Sequence, residues 1–100
     1  MNLKNNQYVE QVKNLVLNHF KNYKVKIYFF GSRARNSASM ASDVDVAILP
    51  LETIERFVFS EIREKLEESN VPYEVDIVNL DDAEDELKEQ ILREGILWRG

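Results

Sequence analysis

Asp43 and Asp45 stand two residues apart at the head of an apolar run, Val46-Ala47-Ile48-Leu49. Residues at i and i+2 of a strand point to the same face, so the spacing predicts two carboxylates side by side. Aspartate is depleted in strands, and like charges on one face repel unless a cation lies between them. Magnesium suits that place, because it takes one or two carboxylates and fills the rest of its shell with substrate phosphates and water. Upstream, another apolar run, Ile27-Tyr28-Phe29-Phe30, ends in Gly31-Ser32, and ten residues separate Ser32 from Asp43. A strand giving way through Gly-Ser to a short helical turn leaves backbone N–H groups that favour an anion. Gly31 lets a phosphate approach the backbone, and the Ser32 hydroxyl can donate to a phosphate oxygen. Gly-Ser alone is an ordinary strand-to-helix turn, and Asp-Val-Asp alone can be a strand beginning in solvent. A metal site beside a phosphate site, however, suits chemistry on a nucleoside triphosphate.

Asp76 extends the pattern. It lies in Glu74-Val75-Asp76-Ile77-Val78, inside a further apolar strand. If this strand neighbours the one beginning at Asp43, Asp76 reaches the same cation. Glu74 has the same parity and either substitutes for it or meets solvent at the strand's start. Carboxylates inside apolar strands are uncommon without a partner. Three aspartates on two adjacent strands predict a two-metal site.

The elements that must hold these residues are legible from periodicity. Tyr8, Val12, Leu15, Val16 and His19 mark a first helix over about residues 4–21. Lys24–Phe30 is a strand stopped by Gly31. Arg33–Ser37 forms one helical turn, Ser39–Ser42 a small-residue loop, and Asp43–Leu49 the second strand, ended by Pro50. Thr53 caps a helix with the apolar face Ile54, Phe57, Val58, Ile62 and Leu66. Tyr73–Leu80 is the third strand. Asp81 with Glu84 resembles a capping box for a last helix with core positions Ala83, Leu87, Ile91 and Leu92, and Gly95 stops it. Ile96-Leu97-Trp98 adds a short edge strand. Alternating helices and strands indicate a two-layer α/β domain, and 100 residues make one domain.

Composition narrows the class. The chain has no cysteine, so it has neither a disulfide framework nor a thiolate zinc site. The N-terminus has no apolar signal core and no run is long enough to span a bilayer; the expectation is a cytoplasmic protein without membrane contact. The net charge of −5 opposes direct nucleic-acid binding, yet it accommodates a nucleotide carried as its magnesium complex. The acidic run Asp81–Glu86 reads as a helix N-terminus favoured by the dipole. His19 reads as a packing or surface residue. Tyr8, Phe20, Phe57 and Phe59 read as core. Phe29 and Phe30 face opposite sides of their strand.

Taken together, Gly31-Ser32-Arg33-Ala34-Arg35, then Ser42-Asp43-Val44-Asp45-Val46-Ala47-Ile48, then Val75-Asp76-Ile77-Val78 resemble the nucleotidyltransferase superfamily with the DNA polymerase β-like fold. More narrowly, the chain looks like a minimal nucleotidyltransferase of the kind encoded beside a HEPN-domain protein, and Arg93-Glu94-Gly95-Ile96-Leu97-Trp98 resembles that family's C-terminus. The resemblance spans essentially the whole chain. Asn36 stands where the family has Gly; Asn tolerates left-handed backbone next best.

The resemblance implies a small mixed β-sheet with helices packed on it. It implies nucleotide binding by Gly31, Ser32, Arg33, Arg35 and Ser42, with Gly31 and Ser32 on the β- and γ-phosphates. Asp43, Asp45 and Asp76 would be the catalytic residues and the ligands of two magnesium ions, and Asp76 would help deprotonate the acceptor. The reaction it implies is in-line attack on the α-phosphorus of ATP, with AMP passing to a tyrosine hydroxyl of a HEPN-domain toxin. The chain would be the antitoxin of that pair. Two other functions fit the same residues: an antitoxin that neutralises a helical partner by binding alone, and an aminoglycoside-type nucleotidyltransferase acting on a small molecule.

Overall fold

The computed structural model describes residues 3–30, 44–72 and 74–100. Helix α1 spans Leu3–His19, strand β1 Val25–Phe30, strand β2 Val44–Pro50, helix α2 Arg56–Glu67, strand β3 Val75–Asn79, a 3-10 turn Leu80–Asp82, helix α3 Asp85–Glu94 and strand β4 Ile96–Arg99. The strands form a four-stranded sheet in the order β3-β2-β1-β4. Strand β1 pairs antiparallel with both β2 and β4, whereas β2 and β3 run parallel, joined by the α2 crossover. The sheet is therefore mixed, as expected. The predicted helical turn at 33–37 and the loop at 39–42 lie outside the described residues.

Alternation along the strands sorts side chains onto two faces. On one face Val25, Ile27, Phe29, Val44, Val46, Ile48 and Ile77 meet α1 and α2. Helix α1 contributes Val12 and Val16, and Phe20 follows directly after it; the three are four residues apart and fully buried, and that spacing returns each to the same side of a helix. Helix α2 contributes Val58, Phe59, Ile62 and Leu66. Phe20 sits against Phe59 with ring centroids 5.7 Å apart and against Tyr23 at 6.2 Å. On the other face the buried set is Tyr28, Ala47, Leu80 and Ile91, with Phe30, Leu49 and Val78 half-buried around it.

Four expectations are corrected. Phe57 is 58% exposed, and Phe59 fills the place foreseen for it. Five residues before Ile62, Phe57 stands about 140° around the helix from the buried stripe. Thr53 does not cap α2: the helix begins at Arg56 behind an extended Glu55 that makes no side-chain cap bond. In the last helix only Ile91 is buried, with Leu87 38% and Leu92 41% exposed, because the segment from Leu80 first closes a 3-10 turn. That turn is capped by the Asn79 side chain, which accepts from the Asp81 N–H at 3.0 Å, so Asp81 does not open a capping box and α3 starts at Asp85.

Gly95 does end α3, through space rather than through a left-handed turn. Its backbone is extended at φ −68°, and a Cβ there would lie 2.6 Å from the Ile91 carbonyl oxygen. The edge strand at Ile96–Arg99 then packs Trp98 on Phe29, rings stacked at 5.0 Å. Arg99 donates from Nη1 to the Phe20 carbonyl at 2.6 Å and from Nη2 to the Tyr23 carbonyl at 2.8 Å. One guanidinium thus ties the turn after α1 to the last strand, bonding the Tyr23 carbonyl and adding a second donor to the Phe20 carbonyl, which also accepts from the Tyr23 N–H at 3.0 Å. His19 takes the packing role expected of it. Because a carbonyl only accepts and an ammonium only donates, its Nε2–H donates to the Val58 carbonyl at 2.8 Å while Nδ1 accepts from Lys65 at 3.1 Å.

Candidate active site

The site is built where β2 and β3 begin. Val44, Val46 and Ile48 are fully buried against α1 and α2, and this fixes the intervening Asp45 on the opposite face. The same reasoning turns Asp76 away from Ile77. Strand pairing then sets Val44 beside Val75, Asp45 beside Asp76, and Val46 beside Ile77, while Phe30 on β1 stands opposite Asp45 on the other side. Phe30, Asp45 and Asp76 therefore form one row across three strands. Neighbouring strands lie about 4.8 Å apart, close enough for two carboxylates in register to share one cation. Asp45 is half-buried and Asp76 exposed. The Val44 N–H donates to the Glu74 carbonyl at 2.9 Å, locking the first rung. Glu74, also exposed, has the parity of Asp76 and sits just ahead of β3.

Of the residues predicted for the site, Asp45 and Asp76 are brought together. Gly31, Ser32, Arg33, Arg35, Ser42 and Asp43 lie outside the described residues. Among the described residues no group of three His, Cys, Asp or Glu side chains is placed to hold a metal. The donor set formed by the Asp45 and Asp76 carboxylates consists of hard oxygens, the chemistry that magnesium prefers, and two like charges held in register fit a cation between them. Phe30, half-buried on the same face, gives the row an apolar flank.

Arg63 is the residue that sequence reasoning passed over. Its Nη2 donates to the Ile77 carbonyl, one residue beyond Asp76, at 2.8 Å. The only local signal was an arginine beside the buried Ile62 on the helix that crosses between the two parallel strands.

Comparison with known proteins agrees with this geometry. The pattern of the family described as polymerase beta nucleotidyltransferase matches residues 10–98. A Shewanella oneidensis protein named protein adenylyltransferase MntA is 34% identical over 73 residues, 72% of this chain and 52% of the relative. The chain spans little more than half the length of the curated relatives it matches. Two similar solved structures are a toxin–antitoxin with AMP-PNP, at TM-score 0.70 and 28% identity over 88% of this chain and 73% of that one, and a complex of tri-AMPylated Shewanella oneidensis HEPN toxin with MNT antitoxin, at TM-score 0.65 and 26% identity over 91% and 71%.

Proposed function

This chain belongs to the polymerase β nucleotidyltransferase family, and from that premise we propose that it transfers AMP from ATP to a hydroxyl of a HEPN-domain partner protein, as the antitoxin of a toxin–antitoxin pair. The observation that carries this reading is the in-register pairing of Asp45 with Asp76 on adjacent parallel strands. The similarity to a named protein adenylyltransferase, and to a complex containing an AMPylated HEPN toxin, supports the choice of nucleotide and acceptor.

Each residue's task follows from its chemistry. Gly31 and Ser32 bind the β- and γ-phosphates through backbone N–H groups and a hydroxyl, with Ser42 alongside. Arg33 and Arg35 add guanidinium contacts, whose planar fork matches phosphate. Asp43, Asp45 and Asp76 would hold two magnesium ions, nucleotidyltransferases of this superfamily generally using divalent metal. Bound magnesium supplies Lewis acidity to the α-phosphate and to the departing pyrophosphate. Asp76, at the exposed end of the row, takes the proton as the acceptor oxygen bonds to the α-phosphorus. The bond between that phosphorus and the bridging oxygen to the β-phosphate breaks, and pyrophosphate leaves.

The test is transfer of label from each α-labelled nucleoside triphosphate, in turn, to the co-purified partner in magnesium buffer. Label from ATP on the partner, lost with Asp45→Asn in a variant that keeps its fold, is the expected result. Full activity in Asp45→Asn overturns the metal-site assignment. Partner capture with no transfer from any nucleotide makes the chain a binding antitoxin, and label on a small molecule moves it to that branch of the family.

A further inference from the structure

Asp45 and Asp76 are not held equally. Strand β2, carrying Asp45, has a neighbour on each side, whereas β3, carrying Asp76, has five residues and among the described residues pairs only with β2, at the sheet's edge. Among the described residues no hydrogen bond or ion pair fixes the Asp76 carboxylate itself. Its position depends on the strand beneath it.

The ladder phase shows what steadies that strand. Because the Val44 N–H donates to the Glu74 carbonyl, parallel pairing turns the backbone groups of Glu74, Asp76 and Val78 toward β2 and those of Val75 and Ile77 toward the open edge. Among the described residues the Ile77 carbonyl therefore has no ladder partner, and Arg63 Nη2 donates to it at 2.8 Å. Arg63 projects from α2 between Ile62 and Leu66, both buried in the sheet's larger core, so the donor is anchored to that core. It stands where a fifth strand would stand, immediately beyond Asp76. Arg63 also lines a cavity of about 500 Å³ with Glu67, Glu74 and Asp76, placing one cation among three carboxylates.

We propose that Arg63 is a positioning residue for Asp76: its bond to the Ile77 carbonyl holds the edge strand so that the Asp76 carboxylate stays level with Asp45 for metal binding. This role rests on the nucleotidyltransferase reading above. Groups that orient metal ligands typically contribute about 10–100-fold to metal affinity or activity, which sets the size of the expected effect.

The experiment uses the whole chain with Mn²⁺ as probe, and compares Arg63→Leu and Arg63→Lys with the unaltered protein. Amide exchange along β3 is measured alongside. Arg63→Leu is expected to speed exchange at Asp76 and Val78 and to weaken Mn²⁺ binding by about tenfold or more. In transfer assays its kcat falls at limiting magnesium and recovers as magnesium is raised, while KM for the acceptor stays constant; a general loss of fold would lower the far-UV circular dichroism and speed amide exchange across the whole sheet rather than along β3 alone. Arg63→Lys keeps a donor that reaches the carbonyl, and is expected to restore most of the affinity. Should Arg63→Leu not fold, Arg63→Gln, too short to reach Ile77, takes its place with the same expected loss. Mn²⁺ binding indifferent to Arg63→Leu, or lost equally in Arg63→Lys, overturns the role of Arg63 alone. Absence of Mn²⁺ binding in the unaltered chain overturns the metal site and this role with it.

Discussion

The two faces of the sheet divide the work of the molecule. On one, two helices bury a continuous set of aliphatic and aromatic side chains, from Val12 on α1 to Leu66 on α2. On the other, α3 buries only Ile91 against Tyr28, Ala47 and Leu80 and leaves Phe30, Leu49 and Val78 half-covered. The carboxylates Asp45 and Asp76 belong to this thinner face. Carboxylates cannot sit under a packed helix without losing hydration, so the face that carries the proposed site stays open. The densely packed face supplies the stability that lets it do so. The same strands serve both, since Val44 and Val46 bury one side while Asp45 presents the other.

The largest effect that would break this comparison is on the packed face. Phe20 is fully buried and touches His19, Tyr23 and Phe59. Phe20→Ala is expected to cost about 3–5 kcal/mol, the range for deleting a buried aromatic ring, read as a shift in the denaturant midpoint at constant m-value. A loss below about 1 kcal/mol, the size of an average substitution, would mean the two faces share the load.

Next in size is the response of the thin face to ligand. Asp45 and Asp76 stand side by side with like charge, and a ligand that binds only the folded chain stabilises it by mass action. Magnesium with a non-hydrolysable ATP analogue at about 100 times Kd is expected to add ~2.7 kcal/mol, seen as a raised Tm. The same titration in Asp45→Asn should lose most of the shift. A Tm that stays flat over a wide range of magnesium and analogue would count heavily against the site.

Much of this was legible from residue order. Strict alternation in Val44–Ile48 and Val75–Ile77 foretold which way Asp45 and Asp76 face; their meeting was foreseen only on condition that the two strands are neighbours, a condition that the parallel pairing of β2 with β3 meets. The stripe Val12-Val16 and the stop at Gly95 were read from period and residue type. What escaped is set by geometry at long range. Whether Phe57 or Phe59 turns inward depends on where α2 begins, and that start lacks the side-chain cap which would have announced it. Leu87 and Leu92 have the right period for a core, but α3 is too short and too peripheral to bury them. Arg63 and Arg99 act on backbone carbonyls 14 and 76–79 residues away, and such side chain-to-backbone bonds leave no trace in composition or periodicity.

The smallest effect sharpens the comparison most, because it asks whether the thin face contributes anything beyond Ile91. Leu92 follows Ile91 directly yet is 41% exposed, about 100° further around the helix. If α3 is held chiefly through Ile91, exchanging Leu92 for a polar residue of similar length should cost little. Leu92→Gln is expected to leave stability within about 0.5 kcal/mol of the parent, the range for surface substitutions away from special features, with transfer activity unchanged. The measurement is a paired denaturant titration. A loss of about 2 kcal/mol, the lower end for truncating a buried aliphatic side chain, would show Leu92 to be part of a second core, and the open face would then be narrower than its burial pattern indicates.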